Sequence, residues 1–349
     1  MQPPTLEIED RSIGAGQPCF IVAEVALAHD GSVGSAHAFI DLAAAAGVDA
    51  IKFQTHIADA ESSPRERSRV PLSSQDRTRF AYWVRTAFTE EQWIELRDHA
   101  RARRLLFYSS PFSITAVELL ERVDMPVWKI PSGEVTNLPL LERIAKTRLP
   151  VILSTGLSYL KEIDEAVRVF ASRGIPVAVM QSTAKYPCPP EKLGLNLLDF
   201  FRDRYRCPVG LSDHSGTMYA GIAAAALGAN IIEVHIAFSR EAFGPDVPAS
   251  VTSPELREMV TGVRFVERAI ANPLDKDCVA QSLEPIRALF LQGVVASRDV
   301  VAGTILARED LETRKPLDGF LASHLLMCVG RRLRQDLSAG DPVREKDLE

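Results

Sequence analysis

The sequence predicts a parallel (β/α)8 barrel of the TIM type followed by a small β-rich module. Three observations carry this: eight short β-like runs alternate with helical stretches, polar residues stand at or just after nearly every run, and one spaced pattern occurs twice near the C-terminus. Such alternation specifies a parallel sheet covered by helices, and eight strands close it. The 349 residues accommodate a barrel of about 250 residues and an appendage. The expected division is a barrel over 1–275, a linker over 276–289 and a module over 290–349.

The runs are 20–24, 50–54, 106–110, 127–130, 151–154, 177–181, 209–212 and 231–235, each rich in Val, Ile, Leu or Phe. Helical stretches separate them, as at 89–104, where Thr89 and Gln92 form a capping box and the last turn is basic. Ahead of the first run, Ser12-Ile13-Gly14-Ala15-Gly16 predicts a small hairpin closing the barrel floor. The polar stretch 55–79 follows the second run, where active-site loops belong, and is either a solvated excursion or a substrate lid. A helix near 254–271 follows the eighth run, and 272–277 begins the linker. In the module, Asp299-Val300-Val301-Ala302-Gly303 with Asp310-Leu311 is echoed by Asp336-Leu337-Ser338-Ala339-Gly340 with Asp347-Leu348 at identical spacing. Two similar β-turn-β elements make a pseudo-symmetric unit suited to covering, recognition or dimerisation.

Composition narrows the function. A net charge of -6 without a dense basic stripe argues against nucleic acid as the partner. No apolar run approaches the roughly 20 residues that cross a bilayer, and the N-terminus lacks a basic region followed by an apolar core, so a cytoplasmic protein without a membrane partner is expected. The five cysteines are scattered and odd in number, and are expected to be reduced.

The chemistry is concentrated at the ends of the runs. His214 and His235 close adjacent runs, and neighbouring barrel strands deliver such side chains to one pocket, where two imidazoles can meet around a metal ion. Lys52 and Lys129 lie within runs, and serines and the Ser154-Thr155-Gly156 turn surround them, a set that suits a small phosphorylated anion. The plainer alternative pairs Lys52 with Glu24 and Lys129 with Glu134 to satisfy a polar barrel top. A buried lysine also serves Schiff-base chemistry, but that needs no metal, and the histidine pair weighs against it.

These residues resemble the sialic acid synthase family, which condenses phosphoenolpyruvate with an N-acylated amino sugar. The resemblance rests on Phe20-Ile21-Val22-Ala23-Glu24, His29-Asp30-Gly31, Ile51-Lys52-Phe53-Gln54-Thr55, Ser110-Pro111-Phe112 and Lys129-Ile130-Pro131-Ser132-Gly133-Glu134. It continues through Leu153-Ser154-Thr155-Gly156, Tyr186-Pro187, Gly210-Leu211-Ser212-Asp213-His214, Gly244-Pro245-Asp246 and the C-terminal echo, which is similar to an SAF, or antifreeze-like, module. By that resemblance His214 and His235 hold Mn²⁺ or Mg²⁺, and Lys52, Ser110, Lys129, Ser132, Ser154 and Ser212 grip phosphoenolpyruvate. Glu24, Gln54, Glu134, Tyr186 and Asp246 face the reacting carbons and the sugar, with Glu24, Glu134 and Asp246 as the catalytic carboxylates. It also implies a homodimer in which each module is exchanged onto its partner.

The departures bear on the acceptor. Ala28 precedes His29 where the family has asparagine, Gln181 replaces a histidine after the sixth run, and Arg314-Lys315-Pro316 replaces Arg-Pro-Gly in the module. Lysine is a point charge where arginine is a planar fork, so an acceptor other than N-acetylmannosamine, such as a di-N-acylated bacterial hexose, fits the change at Lys315. Two alternatives stand beside this: condensation with a different aldose, and a silent barrel acting in carbohydrate binding or assembly.

Overall fold

The computed structural model describes residues 5–66 and 75–349. The first four residues of the N-terminus and the middle of the 55–79 stretch lie outside the described residues.

A hairpin of β1 (Thr5–Ile8) and β2 (Arg11–Gly14) opens the chain, in register from Thr5↔Gly14 to Ile8↔Arg11. Its turn is Glu9-Asp10, with Glu9 at φ 51°, while Ser12-Ile13-Gly14 lies within the second strand. The glycines at 14 and 16 therefore close the hairpin rather than turn it. Alternation places Leu6, Ile8 and Ile13 on one face, and all three join the barrel core.

Each predicted run is a strand of one parallel sheet. The strands are β3 (Phe20–Ala26), β4 (Ala50–Thr55), β5 (Leu106–Pro111), β6 (Trp128–Ile130), β7 (Val151–Ser154), β8 (Val177–Ser182), β9 (Val209–Asp213) and β10 (Ile231–His235). The order is β5-β4-β3-β10-β9-β8-β7-β6, so the last strand pairs directly with the first, in register from Ile231↔Phe20 to His235↔Glu24. β5 and β6 lie side by side without a hydrogen-bonded ladder, which leaves the barrel nearly closed. Both faces are buried, which is why the strands read as continuous apolar runs.

Helices cover the sheet. Helix Glu90–Ala102 shows the logic: Thr89 Oγ1 accepts from Gln92 N at 3.3 Å, and Gln92 Oε1 accepts from Thr89 N at 2.9 Å. Trp93, Leu96 and Ala100 form its buried stripe, and Trp93 meets Phe53 of β4 edge-on at 5.8 Å. Among the described residues no helix is long and apolar enough to cross a membrane.

The chain divides after Ala271, and Asn272–Glu349 forms a second compact unit. The stretch expected as linker is helical here, with Lys276–Ser282 and Glu284–Phe290, and Asp275 caps the first helix by accepting from Cys278 N at 2.8 Å. Strands β11 (Gly293–Ala296) and β12 (Leu311–Arg314) pair antiparallel. The echo is a physical exchange: Asp336 Oδ1 accepts from Ala302 N and Asp299 Oδ1 from Ala339 N, both at 2.7 Å, while Val300 and Leu337 trade backbone bonds at 2.8 and 2.9 Å. Gly303 and Gly340 occupy equivalent turns at φ 87° and 91°, where a side chain would be strained.

Candidate active site

Barrel closure turns strand alternation into a site. Lys52 and Gln54 share the interior side of β4, and Glu233 and His235 share that of β10. Lys52 Nζ lies 2.6 Å from Glu24 Oε2, 3.2 Å from Ser110 Oγ and 3.7 Å from Glu233 Oε1. Lys129 Nζ donates to Glu233 Oε2 at 2.6 Å, and Ser212 Oγ donates to Glu233 Oε1 at 3.1 Å. Gln54 Nε2 donates to Glu24 Oε1 at 3.2 Å. Two ammonium groups and two carboxylates from four strands thus form one buried cluster, each charge beside an opposite one.

The two carboxyls are driven apart in acidity. Burial raises Glu24 to about 7 against the attraction of Lys52, and Glu233 adds to the rise. Burial acts the same way at Glu233, but Lys129 and Lys52 outweigh it and hold that carboxyl at about 2. Burial also brings Lys129 down to about 8 against the pull of Glu233. Of the two carboxyls, Glu24 is therefore the one able to exchange a proton near neutral pH.

The expected alternative pairing is half met: Lys52 has Glu24, but the partner of Lys129 is Glu233. Glu134 lies past the end of β6 on the turn Ser132–Glu134, where its Oε2 accepts from Asn137 Nδ2 at 2.7 Å, and burial raises its carboxyl above the ordinary range. Lys129, in mid-strand, points into the barrel and meets β10 instead.

His214 and His235 do come together, with ring centroids 5.3 Å apart and planes at 55°. The Tyr186 hydroxyl shares a hydrogen bond of 2.9 Å with His214 Nε2, and its ring stacks on His214 at 4.2 Å. The Nδ1 atoms of both histidines are buried and make no hydrogen bond. Burial lowers His214 to about 4 and His235 well below the usual range, which keeps both imidazoles in the neutral form that binds metals. Asp246 Oδ2 stands 3.9 Å from His235 Nδ1, and burial raises that carboxyl to about 6, tempered by Lys52. Among the described residues no three His, Cys, Asp or Glu side chains converge as a ligand set. Two neutral imidazoles with orphaned buried nitrogens fit a divalent ion whose other positions are left to substrate and water.

Ser154 ends β7, buried, and Ser132 Oγ accepts from Gly156 N at 3.0 Å, tying the loops after β6 and β7 together. A Cβ at Gly156 would lie 2.9 Å from the Ser182 carbonyl oxygen, so the turn requires glycine. Gln181 Nε2 donates to Leu193 O at 2.9 Å, so this departure holds the following loop in place. Ala28 packs against the barrel core. Arg314 and Lys315 belong to the second unit, where Arg314 pairs with Glu312 at 2.6 Å and the Lys315 ammonium stands 5.8 Å over the Phe290 ring. Glu233, the hub of the cluster, is not among the residues expected from the sequence, although its two-residue spacing from His235 puts both on one strand face. Neither is His56, whose ring lies 3.3 Å from Gln54 Oε1.

The fold and this cluster define an α/β-barrel protein with a polar, charge-paired site at the C-terminal ends of its strands. Comparison with known proteins carries this further: the chain belongs to the NeuB family, whose model matches residues 39–274, and an SAF domain matches 292–349. It is 30% identical to the N,N'-diacetyllegionaminic acid synthase of Campylobacter jejuni over 331 residues, covering 93% of this chain and 98% of that one. It is 28% identical to the N-acetylneuraminate-9-phosphate synthase of Mus musculus, covering 99% of this chain and 97% of that one. Among solved structures, the N-acetylneuraminic acid (sialic acid) synthetase of Leptospira borgpetersenii in complex with citrate superposes with a TM-score of 0.72 at 27% identity, covering 82% of this chain and 96% of that one.

Proposed function

We propose that this chain condenses phosphoenolpyruvate with an N-acylated amino hexose, N-acetylmannosamine or a related bacterial sugar, to a nonulosonic acid, releasing phosphate. The observation that carries the reading is the Glu24-Lys52-Glu233-Lys129 cluster beside the paired imidazoles. With Glu24 protonated, two ammonium groups face one carboxylate, and the surplus positive charge suits a phosphorylated carboxylate. Binding such an anion raises Glu24 further, so anion and proton enter together.

Lys52, Lys129, Ser110 and Ser212 hold the anion, with Ser132 and Ser154 at the rim. The C3 carbon of phosphoenolpyruvate forms a bond to the aldehyde carbon of the open-chain sugar, water adds at C2, and phosphate leaves with its C–O bond. Glu24, protonated as the anion enters, gives that proton to the departing phosphate and takes one from the added water, while Glu134 or Asp246, both raised carboxyls, supplies the proton that the sugar oxygen requires and takes the second water proton. His214 and His235 would hold Mn²⁺ or Mg²⁺, which when bound supplies Lewis acidity to the acceptor carbonyl. Tyr186 orients His214 through its hydroxyl. The working form in this reading is a cytoplasmic homodimer with exchanged SAF modules, and Arg314 and Lys315 contribute to acceptor recognition.

The test is incubation with phosphoenolpyruvate, Mn²⁺ and a panel of mono- and di-N-acylated hexosamines, with mass spectrometry for a nine-carbon acid and a phosphate assay. Equimolar acid and phosphate are expected. Neither product with any acceptor, from folded protein, would overturn the reading.

A further inference from the structure

The mouth of the barrel contains a second, smaller constellation outside the charged cluster. His56 follows β4 at the same two-residue spacing as Lys52 and Gln54. Its imidazole is held between two rings, parallel to Trp83 at 4.6 Å and 8° and to Phe112 at 4.0 Å and 24°. Its edges meet two polar partners: Nδ1 lies 2.7 Å from Glu61 Oε1 and Nε2 lies 3.3 Å from Gln54 Oε1. Glu61 comes from the short helix Ala58–Glu61, and its side chain is only 6% exposed. Burial raises the Glu61 carboxyl to about 8 and lowers His56 to about 3, so both are neutral at neutral pH.

The orientation of the Gln54 amide, with Oε1 toward His56 Nε2 and Nε2 toward Glu24, fixes the direction of the hydrogen bonds in this row, and a neutral Glu61 fits it. A protonated Glu61 donates to Nδ1, which leaves the imidazole proton on Nε2. Nε2–H then donates to Gln54 Oε1, so the amide nitrogen of Gln54 must face Glu24, where it donates at 3.2 Å. The reversed amide would set two oxygen atoms against each other at an ionised Glu24 and two N–H groups against each other at His56. We infer that His56, locked by the Trp83–Phe112 sandwich and by Glu61, is a positioning residue that orients the Gln54 amide and through it the Glu24 carboxyl. This rests on the role proposed for Glu24 above. His56 itself need touch neither substrate nor metal, and its expected effect falls on turnover more than on binding.

Three variants separate the hydrogen bond from the packing. His56→Phe keeps an aromatic ring between Trp83 and Phe112 but removes both nitrogens, His56→Gln restores an N–H donor near the Nε2 position, and Glu61→Gln keeps a neutral donor toward Nδ1. With wild-type turnover established, His56→Phe is expected to lower kcat about 10–100-fold with KM for phosphoenolpyruvate changed less than about threefold. His56→Gln is expected to recover at least a third of the loss on a logarithmic scale, and Glu61→Gln to stay within about threefold of wild type. A readout independent of activity is the side-chain amide of Gln54 in selectively ¹⁵N-glutamine-labelled protein, whose protection from solvent exchange falls in His56→Phe and is kept in His56→Gln. Unchanged kcat and unchanged Gln54 exchange in a folded His56→Phe variant would overturn the inference. Inactive wild-type protein would count against the proposed function, while the exchange measurement would still decide whether His56 holds Gln54.

Discussion

The barrel and the C-terminal unit both bury carboxylates, and they satisfy them in opposite ways. In the C-terminal unit Asp310 Oδ2 accepts from Ala307 N and Asp347 Oδ2 from Arg344 N, each at 2.9 Å, the same short local bond made twice by the sequence echo. Each aspartate ties the end of a single-turn helix back to the residue that precedes it, three positions away. In the barrel Glu233 meets Lys129 from 104 residues away, and Glu24 meets Lys52 across a strand boundary. Locally capped acids stabilise a turn, as the lowered carboxyl of Asp310 reflects, with its backbone bond to Ala307 as the leading cause. Acids paired across the barrel instead create a site where one carboxyl is held at about 2 and its neighbour at about 7. The C-terminal acids also have side-chain partners, Arg298 for Asp310 and Gln335 for Asp347, each at 2.6 Å, but each keeps its backbone cap. A buried acid is thus a fastener where a local backbone donor fixes it and a reagent where side chains alone hold it.

The largest expected contrast is in turnover. His214→Ala should abolish product formation, roughly a thousandfold or more, while leaving the circular dichroism spectrum and the urea midpoint close to wild type. Retained activity in that variant removes the metal assignment. Next, Glu233→Leu strands the buried Lys129 ammonium and removes the second acid beside Lys52, and should destabilise the barrel by about 3–5 kcal/mol, measured by urea unfolding of the full chain. A loss below about 1 kcal/mol would mean that the lysines are satisfied without it.

Asp310→Ala and Asp347→Ala should each cost about 1–3 kcal/mol, and by similar amounts, because each frees one part-buried backbone donor and one side-chain donor. Strongly unequal losses would break the pseudo-symmetry. Hydrogen exchange resolved along the chain should confine both effects to Asn272–Glu349.

The smallest effect is a slope. Because the folded-state value of Glu24 stands above its ordinary one, the stabilisation linked to its proton is complete at acid pH, below the unfolded value, and declines as pH rises through about 7. Between pH 5 and 8 the urea midpoint should fall, and Glu24→Gln should flatten that fall. An identical slope in the variant would place the titrating group elsewhere.

Much of this was legible in the residues. Each run at a predicted position forms a strand because β-branched and apolar side chains buried on both faces leave few other conformations, and Thr89 caps its helix because the capping bonds span three residues. The first hairpin forms where the glycines suggest one, but its turn is Glu9-Asp10, with Glu9 in the left-handed region, and Gly14 and Gly16 lie at its end. The expected linker proved helical because a local aspartate cap and favourable helix residues outweigh Pro273 and Asn272. Glu233 passed unnoticed because an acid inside an apolar run declares nothing about its partner.

The sequence by itself determined the strand count, the polar strand ends, the histidine pair and the duplicated capping turns, all matters of periodicity and short spacing. Only the tertiary structure decided which charge neutralises which, that Lys129 belongs to Glu233 rather than Glu134, and that His56 stands behind Gln54. The physical reason is that such pairings depend on the register of strands far apart in the chain, set when β10 docks beside β3, and electrostatic partners are chosen by distance in space rather than by order in sequence.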